Sequence, residues 1–138
     1  LLVPRSSRMG QPSDPHATPG STVPEGRSPT AAIMAEPKNL DVIMQLIMHG
    51  GDAKGNAIEA IEAAKAGDFA LANEKIGESE KALVEAHHAQ TGLLTQEASG
   101  DAVELSLLMV HGQDHLMTSI AFKDLAKEIV EIYEKISK

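Results

Sequence analysis

Met109-Val110-His111-Gly112-Gln113-Asp114-His115-Leu116-Met117 places two histidines, an amide and a carboxylate inside an otherwise apolar run. Around it, Val103, Leu107, Val110, Asp114, Met117, Ala121, Leu125, Ile129, Ile132 and Ile136 recur mostly at intervals of three and four. That period predicts a long helix with this stripe against a core. Asp114 is the sole charge on the stripe. An unpartnered carboxylate there is costly, since even neutral polar groups lose roughly 2–7 kcal/mol on burial, so Asp114 needs a partner. His111, Asp114 and His115 share one side of the helix at spacings of three and four. Glycine costs about 1 kcal/mol in a helix interior. Gly112 therefore implies close approach of some group to the backbone or to the His111 ring.

Outward from this stretch the chain reads as helix throughout. Leu40, Ile43, Ile47, Gly51, Ile58 and Ile61 mark one face of a first helix, with Pro37 and Asn39 at its start. Gly50-Gly51 interrupts it, either as a kink or close helix crossing or as room for a group on another helix, such as the His111 ring. Gly67-Asp68 ends it and caps the next, on which Phe69, Ala72, Ile76, Leu83, Ala86, Gln90 and Leu94 share a face. His87, His88, Gln90 and Thr91 form a second polar group there, which antiparallel packing of helices two and three would set beside the His111 cluster. Ser99-Gly100-Asp101 is a second junction, and Asp101 with Glu104 has capping-box spacing. The third helix is expected from there to near Ile136, roughly 50 Å at ~1.5 Å per residue. Short connections between long helices give an all-α fold, an up-down-up antiparallel three-helix bundle. The third helix has further apolar residues off its stripe, Leu105, Leu108, Met109, Leu116, Ile120 and Val130. A helix apolar on two sides needs a second surface, which a homo-oligomer supplies. Copies of Asp114 would then converge, and like charges that close need a cation or a proton between them.

Composition bounds the partners. All seven prolines lie between Pro4 and Pro37. Residues 1–33 lack an apolar period, and Leu2-Val3-Pro4-Arg5-Ser6 resembles an engineered thrombin cleavage site. This segment is expected to be a disordered tail, and 34–138 the folded domain, with Met34 or Met9 as its native start. The tail contributes +1 to a chain of net charge −8, leaving −9 on the domain. An acidic domain without basic clusters argues against nucleic acid. No apolar run reaches membrane-spanning length, and there is no cysteine. A cytoplasmic protein fits.

His111-Gly112-Gln113-Asp114-His115-Leu116-Met117-Thr118 resembles the active-site motif of the lactose/cellobiose-type enzyme IIA proteins of the bacterial sugar phosphotransferase system. Gly67-Asp68-Phe69, Glu85-Ala86-His87 with Gln90-Thr91, and Glu97-Ala98-Ser99-Gly100 resemble that family too, so the likeness covers about residues 40–137. The resemblance implies a homotrimer of three-helix subunits. It implies a phosphoryl group carried on His111, with Gln113 and His115 beside the phosphorylated ring. It also implies a divalent cation, Mg2+, held by Asp114 at the trimer axis. The donor it implies is the histidine-containing phosphocarrier protein, and the acceptor a cysteine of enzyme IIB, during disaccharide uptake. The chemistry is consistent: a neutral imidazole is a nucleophile near pH 7, and phosphoryl transfer needs positioning and donors more than covalent assistance. Without the resemblance, His111, Asp114 and His115 would read instead as transition-metal ligands of a structural helical bundle. The sugar is not legible in the chain, and nor are the roles of His87 and His88.

Overall fold

A computed structural model of the 138-residue chain describes residues 36–138, which form one unit. The expected tail, 1–33, and the candidate start Met34 lie outside the described residues. Removing residues 1–33 is expected to leave the thermal midpoint unchanged; a lowered midpoint by calorimetry would mean that the tail packs on the domain.

Three helices make up the described fold: α1, Leu40–Lys65; α2, Phe69–Ala98; and α3, Leu107–Ile136. Contacts fix their directions. Ser79 on α2 donates to the Ala53 carbonyl of α1, and Lys75 meets Glu59, so α1 and α2 are antiparallel. Gly112 lies against Ile43, and Ser119 donates to the Gly50 carbonyl, so α1 and α3 are parallel. Gln90 meets Gln113, and Asn73 meets Glu134, so α2 and α3 are antiparallel. The result is the expected up-down-up bundle, with α1 packed against both of the others.

Local chemistry explains most of the boundaries. α1 closes with Gly67 at φ 80°, its N–H bonding Ala64 O while Asp68 N–H bonds Ala63 O. This is a Schellman closure, in which glycine takes the left-handed position without a Cβ clash. Asp68 then accepts from Leu71 N at 3.0 Å and caps α2. Gly100, at φ 92°, repeats the closure at the end of α2. Two boundaries differ from expectation. Asn39 precedes α1 in a left-handed conformation, φ 59°, and its side chain makes no capping hydrogen bond. α3 begins at Leu107 and not near Asp101, because extended Ser106 accepts from Met109 N at 3.1 Å and satisfies the first turn. Residues 101–106 serve as the return connection instead, with Val103 packed on the core. The helix therefore has 30 residues, about 45 Å at ~1.5 Å per residue.

The inward faces also differ. On α1 the buried row is Ile43, Leu46, Gly50, Ala53, Ala57, Ala60, Ala63 and Ala64, while Gly51 and Ile58 are exposed. Small residues let α1 lie close to both neighbours. On α3 the buried row is Met109, Gly112, Leu116, Ser119, Ala126 and Val130. The expected stripe faces outward: Leu107, Val110, Asp114, Met117, Ala121, Leu125, Ile132 and Ile136 are all exposed. Of the residues read as surplus, Met109, Leu116 and Val130 are subunit core, while most of those read as core form a free seam.

Two clusters fill the interior. Near the start of α3, Ile43, Leu46, Ala53, Leu83, Ala86, Leu93, Met109 and Leu116 pack together. At the other end Ala57, Ala60, Ala72, Ile76, Ala126 and Val130 do so, with Phe69, Phe122 and Tyr133 at the margin. Lys75 bridges Glu59 and Glu78 at 3.0 and 2.8 Å. Those carboxylates hold its ammonium proton above the usual lysine range, Glu78 most strongly. Solvent screening keeps the stabilisation small, so the bridge chiefly marks the α1/α2 register.

Candidate functional site

His111 stands exposed on the first third of α3. Its ring meets that of half-buried His115 edge to face, centroids 4.5 Å apart and planes at 85°. The spacing of four residues stacks the rings on one side of the helix, and an edge-to-face contact is the favoured arrangement of two aromatic rings. An open depression lined by Leu107, Leu108 and His111 lies beside them.

Gly112 does not open space around the imidazole. It is buried, and a Cβ there would sit 3.3 Å from Ile43 Cγ2 and 3.5 Å from Leu46 Cβ. Gly50 is its counterpart on α1, where a Cβ would meet the carbonyl carbon and oxygen of His115 at 3.2 Å. The two glycines therefore mark a close crossing of α1 and α3 directly beneath the histidine pair. The crossing reading of Gly50 holds, and the reading as room for the His111 ring does not. Buried Ser119 secures the same crossing by donating to Gly50 O at 2.7 Å.

Gln113 points elsewhere. Two residues along a helix is roughly 200° around its axis, which turns Gln113 from His111 toward α2. There its Oε1 accepts from Gln90 Nε2 at 2.7 Å. Asp114 is exposed on the seam and has no ion-pair partner among the described residues. Its backbone carbonyl accepts from Thr118 Oγ1 at 2.7 Å. Within one subunit, then, His111 and His115 come together, while Gln113 flanks the seam on the far side. His111, Asp114 and His115 do not assemble a group able to hold an ion within one chain, so the intrachain metal-bundle reading finds no support. His87 and His88 are exposed on α2 and touch neither ring. Gln90 lies beside the His111 motif as the antiparallel reading of α2 and α3 expected, and its partner there is Gln113.

The comparisons with known proteins agree on one family. A family model described as "PTS system, Lactose/Cellobiose specific IIA subunit" matches residues 41–134. A lichenan-specific phosphotransferase enzyme IIA component of Bacillus subtilis is 50% identical over 97 residues, covering 70% of this chain and 88% of that protein. A cellobiose-specific EIIA component of Lactococcus lactis is 53% identical over 91 residues, 66% of this chain and 78% of that one. Among solved structures, the cellobiose-specific enzyme IIA of Bacillus anthracis superimposes with a TM-score of 0.72 at 40% identity, covering 75% of this chain and 94% of that one. The IIA(chitobiose) chain of a complex with HPr from Escherichia coli gives a TM-score of 0.65 at 40% identity, covering 75% and 100%.

Proposed function

Because the chain belongs to the lactose/cellobiose-specific IIA subunit family of the sugar phosphotransferase system, and is a phosphotransferase component of it, we propose that His111 is the residue that carries the phosphoryl group. The observation that supports this most is the exposed His111 ring, braced by His115 and open on its other side to a depression. The proposed donor is the phosphorylated histidine-containing phosphocarrier protein, by analogy with the chitobiose relative's complex with HPr. The proposed acceptor is enzyme IIB, on the cytoplasmic face of the uptake system. No described helix is long and apolar enough to cross a membrane.

In the transfer, the unprotonated nitrogen of His111 attacks phosphorus as the donor's P–N bond breaks. The departing imidazole keeps that electron pair, and net one proton passes from the His111 ring to it. Positioning and hydrogen-bond donors supply the catalysis. His115 fixes the ring of His111. Gln113 supplies an amide, which in our reading faces a phosphoryl group on a neighbouring copy's His111 across the seam.

We propose that the subunit associates as a homotrimer along the α3 seam. Leu107, Leu125 and Ile136 are 85%, 64% and 71% exposed in the single subunit. Covering a large apolar side chain contributes about 1.5–3 kcal/mol, so the seam favours a partner surface like itself. Asp114 fits a shared divalent cation, Mg2+ in our reading, because it has no ion-pair partner among the described residues and lies on the seam where copies would meet. A bound cation would supply positive charge between converging carboxylates.

Incubation with phosphoenolpyruvate and the general phosphotransferase proteins tests the function: we expect an acid-labile mass gain of one phosphoryl group per chain, and no gain would refute the proposal. The cation is tested separately by calorimetry. A chelator should lower the wild-type melting temperature, and Asp114→Leu should abolish that sensitivity while keeping the trimer. Replacing converging charges by packed apolar groups is often neutral or stabilising by about 1–4 kcal/mol. Chelator-insensitive wild type, or a monomeric Asp114→Leu variant by sedimentation, contradicts this role.

A further inference from the structure

The amide of Gln113 has a defined polarity, and α2 sets it. Gln90 Nε2 donates to Gln113 Oε1 at 2.7 Å and lies 4.0 Å from Met117 Sδ. A thioether sulfur only accepts. The Gln90 NH2 group, which also lies on the Met117 side, claims the oxygen of Gln113. Gln113 Nε2 has no acceptor among the described residues, yet no buried side-chain nitrogen or oxygen there lacks a partner. Its NH2 thus opens to solvent as a free donor. We infer that Gln90 is a positioning residue for phosphoryl transfer, holding Gln113 so that its NH2, and not its carbonyl oxygen, faces the phosphoryl group. The inference rests on the reading of Gln113 as a phosphate neighbour across the seam. A carbonyl turned that way would oppose the phosphoryl oxygens, so the orientation matters and not only the presence of an amide.

Exchanging donor for acceptor at Gln90 separates this from packing. In Gln90→Glu the carboxylate only accepts, so Gln113 must turn its NH2 inward and its oxygen outward. With phosphorylated HPr as donor, kcat/KM for acceptance should fall about tenfold, as for the loss of one well-placed donor, and match Gln113→Leu. The fall should lie in kcat more than in KM. Gln90→Lys restores a donor to Gln113 Oε1 and should recover most of the loss. The side-chain 15N–1H signal of Gln113 should shift on phosphorylation in wild type and in Gln90→Lys, but not in Gln90→Glu. Wild-type rates in a trimeric Gln90→Glu variant overturn the inference. So do equal losses in the Glu and Lys variants, which would mean packing alone. A wild type that takes no phosphoryl group refutes instead the functional reading beneath it, and is scored before any variant.

Discussion

His111→Ala should fold and assemble as wild type does and accept no phosphoryl group. The fold should survive because the ring is exposed and its recorded side-chain contact is the edge of His115. Surface truncations of that kind usually change stability by no more than about 0.5 kcal/mol. Activity should fall to background because no other group takes over the nucleophile's place. His115 is the nearest imidazole, but it is half-buried and its backbone is pressed against Gly50. His115→Ala should therefore slow acceptance without abolishing it. Phosphoryl incorporation, circular dichroism and sedimentation on the same samples check all three statements. Retained labelling in His111→Ala moves the site to another histidine.

Gly50→Leu is the substitution expected to damage the fold most. Elsewhere in an exposed helix, replacing glycine by a better helix former stabilises by up to about 1 kcal/mol. Gly51 and Gly55 have open space where a Cβ would stand, so alanine at either should follow that rule in the isolated subunit. At Gly50 the Cβ meets the backbone carbonyl of His115, which cannot rotate aside as a side chain could. Overpacking of this kind costs about 1–3 kcal/mol and occasionally more. For a domain of this size, each kcal/mol lowers the midpoint by roughly 4–8 °C. The helices would separate at the turn that carries both histidines, so acceptance should fall with stability. Denaturant unfolding of Gly50→Leu beside Gly51→Ala measures the contrast; equal stability of the two would refute the close crossing.

Helix number, order and connections were legible because glycine, aspartate and serine at the junctions act locally. Gly67-Asp68 and Ser99-Gly100 do in the structure what their chemistry implies. The motif around His111 was legible because its residue types are rare on an apolar helix. Which face of α3 turns inward was not. Two apolar stripes run along it, and periodicity shows that each needs cover without showing which cover belongs to the same chain. The stronger stripe, Leu107 to Ile136, proved to be the free one, while the subunit core uses smaller residues such as Gly112, Ser119 and Ala126. On α1 the alanine row was overlooked for the same reason: small side chains carry little hydrophobic signal but permit the closest packing. The start of α3 was misplaced because Asp101 and Ser106 are both acceptable caps, and only the return path from α2 decides between them.

Peptide mapping at neutral pH locates the phosphoryl group that His111 is proposed to accept. Lys81 and Lys123 bracket His87, His88, His111 and His115 with no lysine or arginine between them, so cleavage at basic residues leaves all four together. Cleavage before aspartate separates them: residues 68–100 hold His87 and His88, residues 101–113 hold His111, and residues 114–123 hold His115. The acid-labile phosphoryl mass is expected on 101–113 alone, while a phosphoryl group on 114–123 or 68–100 would place the acceptor on another histidine.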